Sequence, residues 1–214
     1  MKEKSTKGVI FDLDGTLIDS YQAIYLSFQH TYINMGLQPL PFDEVKRAVG
    51  YGLSITFREL LGEERVPEAL RLFRQKYEEV YRQNTYLLPG ARKVLEALQE
   101  RRIKLAIASN KLGRFSREIF QHFGMDQLFA IILGDEDVLQ NKPHPEMLFY
   151  AIERMGLRNE EVVFIGDSLI DIQTGKNAGV RVFAIPTGVT TREELEKARP
   201  ALILNNLLDF LNQI

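Results

Sequence analysis

The sequence predicts an α/β fold, a doubly wound parallel sheet with a Rossmann-like core, interrupted once by an inserted helical cap domain. Three observations predict it. Short apolar runs alternate with amphipathic stretches beyond Pro89, a similar run stands near the amino terminus, and the segment between carries helical periodicity with no clear strand. At 214 residues and 45% apolar composition, the chain is long enough for one sizeable core and a smaller companion.

The first strand lies near Gly8 to Phe11. From about Ile18 to Tyr86 four or so helices are expected, with apolar residues at helical spacing in Tyr21, Ile24, Tyr25, Phe28 and Tyr32, and again in Leu72, Phe73, Tyr77, Val80 and Tyr81. The sheet resumes after Leu87-Leu88-Pro89-Gly90. Buried strands are read at Leu105–Ala108, Ala130–Leu133, Val162–Ile165, Val182–Ile185 and Ala201–Leu204, with helices between them such as Ala91–Arg101 and Pro145–Met155. Strand, helix, strand in that order implies parallel strands with helices on both faces. The expected division is a core of residues 1–17 and 87–214 and a cap of residues 18–86. Both connections fall beside the motif that ends the first strand, so a lid hinged at the site is expected.

Composition excludes several classes. The formal charge of −2, with 27 basic and 29 acidic residues interspersed, offers no field for nucleic acid or an anionic membrane. With no cysteine and three widely spaced histidines (His30, His122, His144), neither a disulfide framework nor a zinc-type cluster is available, so any metal must be held by oxygen. The charged start Met1 to Lys4 precedes an apolar run too short for a secretory signal, and no segment approaches spanning length. A cytoplasmic protein is expected.

Ligands of doubly wound sheets bind outside the carboxyl ends of the strands, and those ends are polar here. Asp12-Leu13-Asp14-Gly15-Thr16 closes the first strand. Asp12 is ionised at neutral pH and needs no partner base to attack phosphorus. Asp14 is placed to handle protons, Gly15 lets the backbone turn sharply, and Thr16 offers a hydroxyl and an N–H to a bound anion. Ser109-Asn110, Asn141-Lys142-Pro143 and Gly166-Asp167-Ser168-Leu169-Ile170-Asp171 follow later strands, so four loops converge.

Four aspartates around a phosphate dianion repel it, each pair by about 1 kcal/mol in water at 4 Å and more when partly buried. Lys142 supplies one positive charge, and a hard divalent cation on oxygen ligands supplies two more, which points to Mg²⁺. Asp12 and Asp167 are the expected side-chain ligands, the Asp14 backbone carbonyl a third, and Asp171, one helical turn past Asp167, orients them. The acidic run Gly134 to Asp137 reads as a solvated loop, and Lys111 and His144 as bystanders.

This ordered set resembles the haloacid dehalogenase superfamily: Asp-x-Asp-Gly-Thr, then a Ser/Thr (Ser109), a Lys (Lys142), and Gly-Asp-Ser-x-x-Asp (Gly166 to Asp171). The match spans nearly the whole chain, and the insertion looks like the superfamily's first type of cap. The phosphoglycolate phosphatase branch is the most similar, through Phe11 to Leu17, Val49-Gly50-Tyr51-Gly52, Ser109-Asn110-Lys111 and Lys142-Pro143-His144-Pro145. Dehalogenases and phosphonate-cleaving members lack the second motif aspartate, present here as Asp14, so phosphoester chemistry is implied. Mutases of this outline carry a histidine early in the first cap helix, and Tyr21 to Ser27 has none.

The resemblance implies Mg²⁺-dependent hydrolysis of a small phosphomonoester in two steps, with an aspartyl-phosphate at Asp12, Asp14 as acid then base, and Ser109, Lys142, Thr16 and Asn110 around the phosphoryl oxygens. Gly52 and the cap aromatics suggest a small enclosed pocket for the rest of the substrate. Inorganic pyrophosphate, a sugar phosphate or a nucleotide presents the same group to the same core. A non-catalytic phospho-receiver module shares the Asp, Mg²⁺, Ser/Thr and Lys set, but predicts a long-lived phosphorylated state.

Overall fold

The computed structural model describes residues 6–214; the charged start Met1 to Lys4 lies outside the described residues. Eight strands occur among them in chain order: β1 (Gly8–Phe11), β2 (Ile18–Asp19), β3 (Tyr86–Leu87), β4 (Lys104–Ala108), β5 (Phe129–Leu133), β6 (Val162–Gly166), β7 (Arg181–Ala184) and β8 (Leu202–Ile203). The α-helices are α1 (Tyr21–Asn34), α2 (Phe42–Ala48), α3 (Leu53–Leu61), α4 (Val66–Val80), α5 (Ala91–Glu100), α6 (Gly113–His122), α7 (Glu146–Met155), α8 (Leu169–Ala178) and α9 (Arg192–Ala198).

The chain divides into two compact units, one running to Ile18 and resuming at Leu87–Ile214, the other Asp19–Tyr86. The first unit holds a six-stranded parallel sheet in the order β5-β4-β1-β6-β7-β8. Its central strands are continuous apolar runs because both faces are covered: all four residues of β1 and all five of β6 are buried. Ile10, Ala106, Phe164 and Val182 pack under Met147, Leu148 and Ile152 of α7, Ile172 of α8 and Leu195 of α9. Toward the other face lie α5, α6 and the 3₁₀ turn Leu207–Asn212, with Phe210 against Phe183 at 5.7 Å and Phe120 against Phe129 at 4.8 Å between ring centroids.

Strand order sets the position of the site. After β1 the chain builds β4 and β5 on one side, and β6 then returns to pair with the other side of β1. The crevice at such a reversal opens at the carboxyl end of the central strand, immediately before Asp12.

The second unit is helical, α1 to α4, and its interior is aromatic. Phe28 meets Phe57 at 5.0 Å and Phe73 at 5.5 Å, and Tyr77 stacks between Phe73 and Tyr81. Two of its buried hydroxyls return to their own helix, Ser27 donating to the Ala23 carbonyl and Thr31 to that of Ser27. Pro67 stands in the first turn of α4, where its missing N–H costs nothing. The expectation of no strand between Ile18 and Tyr86 needs correction at its ends, where β2 and β3, two residues each, pair where the chain passes between units. Two-residue strands are too short to show alternation in sequence.

Candidate active site

Asp12 leaves β1 with its N–H bonded to the Ile165 carbonyl of β6 at 2.8 Å, so its position is set by the sheet itself. The next residues wind tightly: the Leu13 carbonyl accepts from the N–H groups of Thr16, Leu17 and Ile18, and the Gly15 N–H donates to the Ile18 carbonyl. Gly15 sits at φ +86°, and a Cβ there would lie 2.6 Å from a carboxylate oxygen of Asp167, so both conformation and space demand glycine.

Three carboxylates meet at this point. One oxygen each of Asp12, Asp167 and Asp171 lie within 4.8 Å of one another, and all three residues are buried. Lys142, only 3% exposed, bridges two of them, its Nζ 2.7 Å from Asp12 Oδ1 and 2.7 Å from Asp171 Oδ1. Asp171 is committed on its other oxygen as well, which accepts from the N–H and hydroxyl of Ser168 in the capping box that opens α8. Asp167 accepts the Thr16 hydroxyl at 2.8 Å.

Charge is unbalanced in this cluster, with three carboxylates against one ammonium. Burial pushes the Asp12 carboxyl up to about 6, Lys142 opposing and Asp171 adding to the rise. Burial, with Asp12 and Asp171 alongside, drives Asp167 well above the ordinary carboxylate range. For Lys142 burial works against the charge, yet Asp12 and Asp171 more than offset it and hold the ammonium above the usual lysine value. A set of hard oxygen donors that resists ionisation for want of positive charge fits a divalent cation of the Mg²⁺ type.

The remaining expected residues fall into several places. Ser109 is buried at the end of β4, beside β1, with its N–H bonded to the Leu133 carbonyl. Asn110 forms a reciprocal pair with the Lys142 backbone, donating to its carbonyl and accepting its N–H, both at 2.9 Å. This clamp fastens the Lys142 loop to the β4 loop. Thr16, expected to offer its hydroxyl and N–H to an anion, is fully buried and gives them to Asp167 and the Leu13 carbonyl. Gly52 belongs to the helical unit, immediately before α3, at φ +98°. His144 faces Glu146, its Nδ1 3.8 Å from that carboxylate.

Lys111 is not the bystander expected. Its side chain is 8% exposed and its Nζ reaches both oxygens of Asp14, at 2.9 and 3.1 Å. The acidic run Gly134 to Asp137 is likewise tied down: Glu136 accepts the N–H groups of Gly113 and Arg114 at the start of α6, and Asp137 pairs with Arg117. Sequence reasoning also missed Thr187 and Gly188. Thr187 donates its hydroxyl to the Gly15 carbonyl, and a Cβ on Gly188 would lie 1.7 Å from Asp167 Oδ2. Pro186-Thr187-Gly188 directly after an apolar run was the available signal, since glycine at a strand end marks close backbone approach.

Comparison with known proteins places the chain in a family. Residues 9–185 match the family model of the haloacid dehalogenase-like hydrolases, and the chain belongs to that family. It sits in the phosphoglycolate phosphatase-like branch and is a hydrolase of the phosphatase kind. Phosphoglycolate phosphatase 1 of Pseudomonas aeruginosa is 30% identical over 212 residues, covering 95% of this chain and 78% of that protein. A solved structure from Bacteroides fragilis, assigned as a haloacid dehalogenase-like hydrolase, superposes with a TM-score of 0.91 at 30% identity, over 96% of this chain and all of the other. A predicted phosphoglycolate phosphatase from Haemophilus somnus gives 0.87 at 28% identity, covering 97% of each chain. Among the described residues no helix is long and apolar enough to cross a membrane.

Proposed function

We propose that this enzyme hydrolyses a small phosphomonoester through a phosphorylated Asp12, with phosphoglycolate, the substrate named in its relatives, as the first compound to test. One observation carries the reading. Asp12 stands at the reversal of the sheet with Lys142 on one oxygen, inside an acidic cluster, while Asp14 two residues on is held apart on a different lysine.

Asp12 Oδ attacks phosphorus in line, the phosphorus–oxygen ester bond breaks, and Asp14 gives its proton to the departing oxygen. Asp14 then takes a proton from water as that oxygen attacks phosphorus; the bond to Asp12 breaks and inorganic phosphate leaves. Lys142 and Ser109 donate to the phosphoryl oxygens, joined by the Asn110 N–H. Asp171, committed on both oxygens, steers Lys142 rather than touching the substrate. Asp12, Asp167 and the Asp14 carbonyl would hold Mg²⁺, which when bound supplies positive charge to the phosphoryl oxygens. The helical unit acts as a cap that selects the leaving group, with Gly52 among its substrate contacts; the chain enters it within five residues of Asp14 by sequence.

Three measurements test this. Phosphate release from phosphoglycolate, pyrophosphate, a sugar phosphate and a nucleoside monophosphate, with Mg²⁺ and with chelator, identifies the substrate if one exceeds the rest by about tenfold in kcat/KM, or roughly 1.4 kcal/mol. Asp12→Asn is expected to abolish turnover with the fold retained, and acid quench of the active enzyme to leave phosphate on Asp12. Appreciable turnover by that variant overturns the assignment.

A further inference from the structure

We propose that Lys111 is the positioning residue for Asp14, holding the carboxylate that serves as acid and base in one orientation. The inference rests on the reading of Asp14 given above. Lysine is rarely buried unless paired, yet this side chain is nearly enclosed, and its ammonium contacts both oxygens of one carboxylate.

Its backbone is anchored from two sides. The Lys111 N–H donates to Ser109 Oγ at 3.4 Å, and the Lys111 carbonyl accepts the Asp135 N–H at 3.2 Å. The residue therefore hangs between the β4 loop and the loop after β5, and its stem reaches across to the β1 loop.

The two lysines of this site divide the work. Lys142 grips Asp12 and Asp171, whereas Lys111 grips Asp14. Asp12 and Asp14 are only two residues apart on a tight turn, so a single ammonium serving both would draw the proton carrier onto the nucleophile. Separate lysines keep the carboxylates apart. An aspartate side chain has few rotamers, and contact on both oxygens selects one. Misplacing a catalytic group by about 1 Å can lower the rate on the order of 10²-fold.

The test compares Lys111→Met, Lys111→Arg, Asp14→Asn and the Lys111→Met/Asp14→Asn double variant on phosphoglycolate and p-nitrophenyl phosphate. Lys111→Met is expected to lower kcat/KM on the alkyl ester by about 10–100-fold and on the aryl ester by less than about threefold, because nitrophenolate departs without a proton. With the aryl ester kcat should still fall, with a burst of nitrophenolate, since release of phosphate from Asp12 needs the oriented base. Lys111→Arg should recover part of the loss. The double variant should be no slower than Asp14→Asn alone.

Equal losses of kcat/KM on both esters would place Lys111 on the phosphoryl group and overturn the proposal, as would additive losses in the double variant. Failure of the acid reading shows separately, as Asp14→Asn losing kcat/KM equally on both esters. The cycle still reports whether the two side chains act as one.

Discussion

The two units bury different kinds of polar group. In the helical unit the buried polar residues are Ser20, Ser27, Thr31, Thr56 and Thr85, all neutral hydroxyls. In the sheet unit the ionisable residues Asp12, Lys142, Asp167 and Asp171 lie inside, three carboxyls around one ammonium. A hydroxyl that bonds back to its own helix is nearly neutral for stability, whereas a buried ion loses several kcal/mol of solvation that packing does not return. A neutral hydroxyl also costs far less to bury than an ion, so the helical interior can be read chiefly as packing. The charged cluster has no such account; on the proposed function it serves chemistry, with its stability tied to what neutralises it.

The largest effect that sharpens this contrast comes from removing one anchor in each unit. Lys142→Met strips the ammonium from Asp12 and Asp171, and breaking a buried pair in this way costs about 3–5 kcal/mol. Phe73→Ala removes a ring packed against Phe28, Phe57 and Tyr77, and large core truncations of this kind also cost about 3–5 kcal/mol. Denaturation with and without Mg²⁺ separates them. The Lys142→Met loss should shrink with Mg²⁺, which replaces the missing charge, and the Phe73→Ala loss should not move. If both respond alike, the distinction between the interiors fails.

A smaller effect is expected at Gly188, which approaches Asp167 too closely to admit a side chain. Gly188→Ala must displace either the loop or the carboxylate. Perturbing the support of a metal ligand typically weakens binding by about 10–100-fold. The concentration of Mg²⁺ giving half-maximal thermal stabilisation should rise by that factor, a readout independent of turnover. An unchanged midpoint would mean that Asp167 is not a ligand, or that the loop yields freely.

What the sequence made legible followed from chain-local signals. Buried parallel strands are continuous apolar runs, so β1 and β4 to β8 were readable, and residues just past their ends were the natural candidates for the site. Asp12, Asp167 and Asp171 are met in the structure in that way. Lys111 was not, because its partner lies 97 residues away and no periodicity marks a lysine that folds inward. Thr16 misled for a related reason: a hydroxyl in an anion-binding motif looks available until the position of Asp167, 151 residues on, is known. Glu136 and Asp137 looked solvated because their partners on α6, the first N–H groups of the helix for Glu136 and the Arg117 side chain for Asp137, are not adjacent in sequence.

The smallest expected effect is in pH. The Asp12 carboxyl rises from 3.8 to about 6 on folding, and Asp167 shifts in the same direction. Between about pH 4 and 6 the folded protein therefore holds protons that the unfolded chain has released. The slope of stability with pH is negative in that window, so this contribution is full below about pH 4 and lost by the time pH has risen past about 6. Lys142, shifted upward, keeps its charge throughout the window. On the proposed ligand set Mg²⁺ would compete with those protons for the same carboxylates, so its stabilisation should be largest above pH 6. One unit below the Asp12 value about nine-tenths of that carboxyl is protonated, which weakens apparent Mg²⁺ affinity by roughly tenfold, about 1.4 kcal/mol. Thermal unfolding at pH 5 and 7.5, each with Mg²⁺ or chelator, should show the metal-dependent shift shrinking at the lower pH. Equal shifts at both would place the metal away from Asp12, and the charge imbalance in the sheet unit would then need another cause.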